Sequence, residues 1–170
     1  TGQPVQYDRA LVPLDGFADF VRDFAAQGGK GCNVTVPFKL QAAELATSAS
    51  ARVRLAGAAN TLVFSDSGIH ADNTDGLGIV ADITRNACIA IAGSDVLLLG
   101  AGGAAAGALG SLLEQKPRRL VVVNRTHAKA QTLVKQHEAI AALHKVELIA
   151  LDRKELEADL TNNFDIVITA

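Results

Sequence analysis

Near the middle of the chain, the sequence of a buried strand changes abruptly to glycines. An apolar run within residues 95–99 is followed by Gly100-Ala101-Gly102-Gly103 and then by small helix-forming residues. Gly100, Gly102 and Ala105 have the spacing G-x-G-x-x-G/A, in which the first glycine permits a tight turn, the second admits a pyrophosphate and the third position needs a small residue. The stretch predicts the strand, turn and helix of a dinucleotide site, with the phosphates facing the helix N-terminus. A glycine-rich turn that serves close packing alone is the alternative.

The same pattern continues through the second half of the chain. Pro117 ends the first helix because it cannot continue the helical hydrogen bonds, and Leu120–Val123 is a second buried-type run. The alternation that follows predicts an α/β fold with a Rossmann-like, doubly wound parallel sheet and right-handed crossovers. The predicted strands are 95–99, 119–123, 146–150 and 165–169, and the predicted helices are 104–115, 127–137 and 153–160.

The residues after the second of these strands indicate which dinucleotide is bound. An acid at this place reads a ribose 2′-hydroxyl, whereas a basic residue reads a 2′-phosphate. The sequence here is Asn124-Arg125-Thr126-His127-Ala128-Lys129, which contains no Asp or Glu. An arginine fork with a lysine one turn later suits a phosphate dianion. We therefore expect NADP rather than NAD; the alternative is a solvated charged loop in which Thr126 simply caps a helix.

A separate α/β unit is predicted before the nucleotide-binding half. Val5–Val12 alternates loosely and predicts a strand, and Asp15 is placed to cap a helix that ends at Gly28-Gly29. The apolar face of that helix carries Phe17, Phe20, Val21 and Phe24. Further on we expect a short strand in which Val34 and Val36 share one face, and a helix at 50–55. The small residues that begin at Ala56 lead into a strand that ends at Phe64 and forms a hairpin with 69–71, and a helix follows at 77–83.

Polar residues of this first unit gather at strand ends and helix starts. Pro37 favours a helix start, which places Lys39 in a first turn, where the helix dipole disfavours its charged form and favours proton transfer. A solvated lysine is the alternative. Asp75, Asn60 and Thr35 occupy similar positions, and strand ends are where α/β sites gather. Asp72 and Asn73, by contrast, are interpreted as helix caps only.

Composition removes several classes of function. The 170 residues have a net charge of −2, from 16 basic and 18 acidic residues, and only 4% are aromatic, so neither charge nor stacking favours nucleic acid. No apolar run is long enough for a membrane helix, and Cys32 and Cys88 make neither a disulfide framework nor a metal pair. We therefore expect a cytoplasmic protein without a metal, in which His127, His137 and His144 are surface residues that lack ligand partners at suitable spacing.

Five short motifs succeed one another along the chain. They are Asn33-Val34-Thr35-Val36-Pro37-Phe38-Lys39, Ala56-Gly57-Ala58-Ala59-Asn60-Thr61, Asp72-Asn73-Thr74-Asp75-Gly76, Gly100-Ala101-Gly102-Gly103-Ala104 and Asn124-Arg125-Thr126. In order and approximate spacing they resemble the shikimate dehydrogenase family. The resemblance covers essentially the whole chain and is far more specific than one glycine fingerprint.

This resemblance implies the reversible, NADP-dependent reduction of 3-dehydroshikimate to shikimate, in the pathway to chorismate and the aromatic amino acids. Lys39 matches the catalytic lysine of the family and Asp75 its paired carboxylate, and the substrate-binding positions are Thr35, Lys39, Asn60 and Asp75. The resemblance implies a monomer or homodimer. The implied cofactor-binding positions are Gly100, Ala101, Gly102, Gly103 and Ala104 for the pyrophosphate, and Asn124, Arg125, Thr126 and Lys129 for the 2′-phosphate, with a lysine at the last position where the family often has an arginine.

The resemblance also indicates a piece of a longer protein. Residues 1–76 would form a substrate-binding domain and 77–170 an NADP-binding domain, both incomplete. The family's N-terminal strand and its Ser-x-Ser segment, which holds the substrate carboxylate, would precede Thr1. The rest of the nucleotide domain and the C-terminal helices would follow Ala170. Ala51 departs from the family as well, because an acidic residue near the cofactor often stands there.

The chemistry of carbonyl reduction fits the resemblance but leaves alternatives open. Hydride transfer to a carbonyl carbon leaves an alkoxide, and an acid placed there contributes roughly 10²- to 10⁴-fold. A close lysine–carboxylate pair titrates as a unit, so the proton is not assigned to Lys39 or Asp75 alone. A quinate/shikimate dehydrogenase is disfavoured by the lack of an acid after the second strand. A non-catalytic nucleotide-binding module would not need the pair, and an inert fragment of the enzyme stays open.

Overall fold

The computed structural model describes residues 2, 4–159 and 163–170, which contain two sheets of four strands each. The helices are α1 (Phe17–Ala26), α2 (Lys39–Leu45), α3 (Ala51–Ala56), α4 (Asp75–Ala81), α5 (Gly103–Glu114), α6 (His127–His144) and α7 (Arg153–Asp159), and a π-helical turn at Asp82–Asn86 follows α4. The strands are β1 (Gly31–Asn33), β2 (Ser48–Ala49), β3 (Thr61–Ser65), β4 (Gly68–Asp72), β5 (Asp95–Leu99), β6 (Arg119–Val123), β7 (Glu147–Leu151) and β8 (Ile166–Thr169).

The first sheet is mixed and has the strand order β1-β3-β4-β2. β3 pairs antiparallel with β1 and β4, whereas β2 pairs parallel with β4. Successive side chains of a strand point to opposite faces, and one face buries Leu62 and Ala71 in a core shared with Val21 of α1 and Ala42 of α2. On the opposite face Val63 is 48% exposed. Within the described residues, helices therefore cover one side of this sheet.

The second sheet is wholly parallel, with the strand order β7-β6-β5-β8. Val96 and Leu98 belong to a core with residues of α5 and α6, while Leu97 and Val121 pack on the other face with Leu156 of α7. Burial on both faces is what crossover helices produce in parallel sheets, and it explains the continuous apolar runs. The predicted Rossmann-like parallel sheet is confirmed, and β5 and β6 have the predicted bounds.

A close helix crossing joins the two halves. Gly76 in α4 is buried, and a Cβ added to it would lie 2.7 Å from the Gly107 carbonyl oxygen and 2.6 Å from the Ser111 hydroxyl, both on α5. Cβ atoms do not come this near to other heavy atoms, so α4 reaches α5 because position 76 has no side chain. The start of α4 is thereby fixed against α5 and the second sheet's half of the chain.

Two predictions near the N-terminus are wrong. Val5–Val12 forms no strand, and its Val5, Tyr7 and Leu11 side chains are exposed. Alternation stabilises a strand only where one face covers a core, and these side chains cover none. Asp15 does not cap α1 either, because the N-cap position falls on Gly16 without a side-chain hydrogen bond.

The connection from β1 to α2 also differs from the prediction. β1 ends at Asn33, and Val34 is buried while Val36 is 72% exposed, so the two valines do not share a face. A turn in which the Phe38 N–H donates to the Thr35 carbonyl at 3.0 Å interrupts the alternation before α2 begins. The two-residue β2 and the π-helical turn were not predicted, because such short segments leave no periodic pattern.

Helix α6 corrects the expected position of the histidines. It continues beyond the predicted end at residue 137 to His144, through alanine and leucine residues that favour helix. His137 then shares a helix face with Leu133 and Ala141 and is fully buried, not on the surface. Burial lowers the pKa of His137. The hydrogen bond between its Nδ1 and the Leu133 carbonyl, 2.9 Å long, acts to raise the pKa but is outweighed by burial. His127 and His144 are half-buried.

Candidate active site

The polar centre of the first half is an ion pair between Lys39 and Asp75. Lys39 Nζ lies 2.7 Å from Asp75 Oδ2, and the two side chains are 13% and 26% exposed. Each opens a helix, Lys39 as the first residue of α2 and Asp75 as the first residue of α4. Partial burial strengthens the attraction relative to a fully solvated pair. The remaining exposure leaves both groups within reach of a small molecule.

Asn60 completes this centre. Its Nδ2 donates to Asp75 Oδ1 at 2.9 Å and to the Thr74 hydroxyl at 3.0 Å. Its Oδ1 accepts from the Thr61 hydroxyl at 2.9 Å and from the Thr74 backbone N–H at 3.1 Å. Because an amide has one acceptor end and one donor end, these donors orient its nitrogen toward the carboxylate. Asp75 is thus held by Lys39 on one oxygen and by Asn60 on the other.

Backbone hydrogen bonds explain why residues distant in sequence meet here. The Val34 N–H donates to the Asn60 carbonyl at 2.7 Å, and the Asn60 N–H donates to the Asp72 carbonyl at 3.1 Å. The Ala59 N–H donates to the Lys39 carbonyl at 2.8 Å. The ends of β1 and β4, the start of β3 and the first turn of α2 therefore lie at one edge of the first sheet.

Thr35 lies at the rim of this centre. It follows Val34, whose N–H is bound to Asn60, and its own side chain is exposed. The structure therefore brings Lys39, Asn60 and Asp75 into direct contact and leaves the exposed Thr35 outside that contact.

The glycine-rich turn lies over the carboxyl ends of the second sheet. Gly100 has a φ of 125° and donates its N–H to the Val123 carbonyl at 2.8 Å. A side chain there would be strained and would collide with the Ala170 carbonyl, so the turn requires glycine. Gly102 has open space at its Cβ position, which leaves its backbone accessible to a ligand, and Ala105 is fully buried. The other positions of the turn, Ala101, Gly103 and Ala104, are half-buried.

A cationic segment follows β6 at the same edge of the sheet. Arg125, Thr126 and Lys129 are exposed and Asn124 is half-buried, its Nδ2 donating to the Thr126 carbonyl at 2.9 Å. In the described part of the chain neither Arg125 nor Lys129 forms an ion pair with an acid. Thr126 stands at the N-cap of α6 without a side-chain capping bond. The segment offers positive charge and helix N–H groups, which suit a phosphate.

The start of α5 brings the two clusters together. A Cβ added to Gly103 would lie 3.7 Å from the Cβ of Lys39 and 3.9 Å from that of Ala58. The glycine-rich turn is therefore in van der Waals range of the helix that carries Lys39. A dinucleotide fits this arrangement, because Gly100 and Gly102 would form the cradle for its pyrophosphate and Arg125 would supply the charge for a 2′-phosphate.

Sequence reasoning missed a second polar network beside the site. Arg52 Nη2 lies 2.9 and 2.7 Å from the two carboxylate oxygens of Asp72, and the Ser50 hydroxyl donates to Asp72 Oδ1 at 2.6 Å. Burial acts to raise the pKa of Asp72, but these bonds and one from the Asn73 backbone N–H outweigh it and lower the pKa. Asp72 and Asn73 do more than cap a helix, since Asn73 is also fully buried. No local sequence pattern predicts such long-range pairs.

The described residues contain no cluster of three or more histidine, cysteine and acidic side chains suited to a metal ion. Within the same residues no helix is both long and apolar enough to cross a membrane. Cys32 and Cys88 are both free thiols, of which Cys32 is half-buried and Cys88 is exposed.

Two family models match the chain. The model described as shikimate dehydrogenase substrate binding domain matches residues 1–62. The model described as shikimate / quinate 5-dehydrogenase matches residues 82–170, which is just over half of the chain.

Individual proteins match the chain over nearly all of its length. A shikimate dehydrogenase (NADP(+)) from Acidovorax sp. (strain JS42) is 65% identical over 170 residues, which is 100% of this chain and 59% of the relative. Among solved structures, an Ael1 enzyme from Pseudomonas putida has a TM-score of 0.82 at 43% identity, covering 94% of this chain and 55% of its own. A shikimate dehydrogenase in complex with NADP+ has a TM-score of 0.76 at 27% identity, covering 94% and 53%. The chain thus spans between about half and three fifths of these relatives.

Proposed function

Since the chain belongs to the shikimate / quinate 5-dehydrogenase family, we propose that it carries the site of an NADP-dependent dehydrogenase that reversibly reduces 3-dehydroshikimate to shikimate. The observation that carries this proposal is the Lys39–Asp75 pair, 2.7 Å apart and next to the glycine-rich turn. The name of the Acidovorax relative supports the substrate and the cofactor. Such a reaction belongs to the pathway to chorismate and the aromatic amino acids, and we propose the cytoplasm as its location.

The pair performs the proton transfer of this reaction. Bound NADPH supplies the hydride that the substrate carbonyl carbon accepts. The carbonyl oxygen then needs a proton, which the Lys39–Asp75 pair delivers, and the same pair removes the proton when shikimate is oxidised. Asp75 keeps the Lys39 ammonium in place through the 2.7 Å contact. A group positioned in this way contributes roughly 10²- to 10⁴-fold to the rate.

Substrate and cofactor are held by different halves in this proposal. Thr35, Lys39, Asn60 and Asp75 bind the hydroxyl groups of the substrate, so residues 1–76 form the substrate-binding domain. Residues 77–170 form the NADP-binding domain, in which the turn at 100–104 binds the pyrophosphate. Asn124, Arg125, Thr126 and Lys129 bind the 2′-phosphate. The solved relative in complex with NADP+ supports this choice of cofactor.

The test of the proposal is the variant Lys39→Ala. Since the chain spans 59% of the Acidovorax relative, the assay uses a chimera in which it replaces the matching segment of that relative. Shikimate-dependent reduction of NADP+ is followed by nicotinamide absorbance, and NADP+ affinity by titration. We expect the turnover number to fall roughly 10²- to 10⁴-fold while the dissociation constant of NADP+ is unchanged, because the proton-transfer group alone is lost.

The matched control is Lys30→Ala, which removes an exposed lysine before β1. It should leave turnover unchanged. Near-normal turnover of Lys39→Ala would overturn the assignment of the pair. Quinate and NAD+ are assayed in parallel, and faster oxidation of quinate with NAD+ would replace the proposed substrate and cofactor.

A further inference from the structure

Asn73 is a fully buried amide two residues before Asp75. Its Oδ1 accepts from the Asp75 backbone N–H at 3.1 Å, and its Nδ2 donates to the Ala58 carbonyl at 2.9 Å. The first N–H groups of a helix have no partner inside the helix, so Asn73 satisfies one such group at the start of α4. It also ties this helix start to the segment that leads into Asn60.

The backbone around Asn73 is clamped from the first half. Arg52 Nε donates to the Asn73 carbonyl at 3.0 Å, and the Asp72 carboxylate accepts from the Asn73 N–H at 2.7 Å. Arg52 also holds that carboxylate through its Nη2. The position of the Asn73 backbone is therefore fixed, and so are the directions of the two hydrogen bonds that its side chain makes.

The nucleotide-binding half closes the remaining side of this amide. A Cβ added to Gly107 of α5 would lie 2.7 Å from Asn73 Nδ2, 2.8 Å from its Oδ1 and 3.1 Å from its Cγ. The flat amide thus packs against the bare Cα of Gly107. The same helix begins at Gly103 in the glycine-rich turn, one turn before Gly107. The helix that starts at the proposed dinucleotide site is therefore also the helix that contacts Asn73.

We propose that Asn73 is a positioning residue through which the cofactor-binding helix α5 sets the place of the Asp75 carboxylate. The proposal rests on the proposed function, in which Asp75 orients Lys39. A shift of α5 at Gly107 moves the Asn73 amide, and the amide moves the Asp75 backbone to which it is bonded. The carboxylate then loses its geometry toward Lys39 and Asn60, where the present distances are 2.7 and 2.9 Å.

The experiment is a double-mutant cycle of Asn73→Ala and Gly107→Ala in the chimera with the Acidovorax relative. Asn73→Ala removes both hydrogen bonds, and Gly107→Ala pushes a methyl group into the Asn73 amide. With both substrates saturating, we expect each single variant to lower the turnover number, by roughly 10²-fold if the carboxylate moves by about 1 Å. Once Asn73→Ala has removed the amide, the methyl group at position 107 has nothing to displace. The double variant should therefore turn over at the rate of Asn73→Ala, which is strong non-additivity.

Two controls separate positioning from stability. Gly110→Ala lies one turn further on α5, and its methyl group meets only the flexible end of Leu55, so turnover should be unchanged. Leu133→Ala removes a buried side chain of α6 and should lower the melting temperature without changing turnover at a temperature where the protein is folded. Melting temperatures are recorded for every variant.

The outcomes are distinct. Asn73→Ala that behaves like Leu133→Ala, with a lower melting temperature and normal turnover, overturns the positioning role and leaves the proposed function intact. Additive effects of Asn73→Ala and Gly107→Ala overturn the link to α5. A wild-type chimera without shikimate oxidation overturns the proposed function itself.

Discussion

The two sheets of this protein differ in the interactions that surround them. The second sheet buries β5 and β6 between helices on both faces, and its cohesion comes from leucine and valine packing. The first sheet is short, mixed and covered by helices on one face within the described residues. Its edge carries the hydrogen-bonded groups Lys39, Asn60 and Asp75.

This difference separates two tasks. An apolar parallel sheet presents rigid strand ends, so a glycine turn and a cationic segment beside it can hold a dinucleotide with little side-chain chemistry of their own. The proton transfer of the proposed function needs side chains held at hydrogen-bond distance from one another, and the Lys39–Asp75–Asn60 contacts of the first half meet that requirement. The halves meet where Gly103 approaches Lys39 and where Gly107 packs on Asn73. A change away from these two contacts should therefore impair only the task of the half in which it lies.

The largest effect expected from the second half is that of Arg125→Ala. Loss of a charge-assisted hydrogen bond to the 2′-phosphate costs about 1.5 to 3 kcal/mol, or roughly 10- to 100-fold in affinity. We expect the Michaelis constant for NADP+ to rise by this factor while that for NAD+, which lacks this phosphate, and the turnover number stay near wild type. Steady-state kinetics of the chimera with both nucleotides measures the difference.

The matched control is Arg118→Ala, which removes the exposed arginine at the opposite end of β6. That arginine pairs with Asp95 at 2.5 Å, and the variant should change neither Michaelis constant. Equal effects of Arg125→Ala on NADP+ and NAD+ would show that Arg125 is an ordinary surface residue.

A smaller effect distinguishes the halves by their pH dependence. Burial lowers the pKa of His137 from its ordinary 6.5, and hydrogen bonding lowers that of Asp72 from 3.8 against the opposing effect of burial. In both cases the unfolded chain binds a proton more readily than the folded one, so stability is complete above the ordinary pKa and is lost as pH falls below it. Of these two groups, only His137, in the second half, makes the free energy of unfolding depend on pH above about pH 5.

We therefore expect the free energy of unfolding to fall between pH 8 and 5.5, with a slope from His137 of at most about 1.4 kcal/mol per pH unit. His137→Leu should flatten this slope, whereas Leu133→Ala, which removes a buried side chain without a titratable group from the same face of α6, should lower the free energy of unfolding at every pH without flattening it. Urea denaturation of the 170-residue chain at several pH values measures the slope. An unchanged slope in His137→Leu would assign the pH dependence to other groups.

The second half could be predicted closely because its signals are local. β5 and β6 have the predicted bounds, since buried parallel strands appear as apolar runs that end at Gly100 and Asn124. His137 is the instructive error. Its spacing from Leu133 and Ala141 indicates that it lies on the buried face of α6. The predicted helix ends at residue 137, so it leaves out Ala141, and the apolar face is not recognised.

The first half could be predicted only in part because its site depends on long-range contacts. The sequence places Lys39 and Asp75 at helix starts, but their direct contact spans 36 residues and leaves no mark in either local sequence. The orientation of the Asn60 amide depends on Thr61 and Thr74 together. Asn73 before a helix looks like an ordinary cap, and its burial under Gly107 results from the packing of α4 on α5.

Shikimate-dependent reduction of NADP+ by the wild-type chimera, with NAD+ as the parallel acceptor, decides whether this chain carries a shikimate dehydrogenase site. We expect the absorbance of the reduced nicotinamide to rise only when shikimate is present, and to rise faster with NADP+ than with NAD+. If neither nucleotide is reduced in the presence of shikimate, the proposed function is wrong.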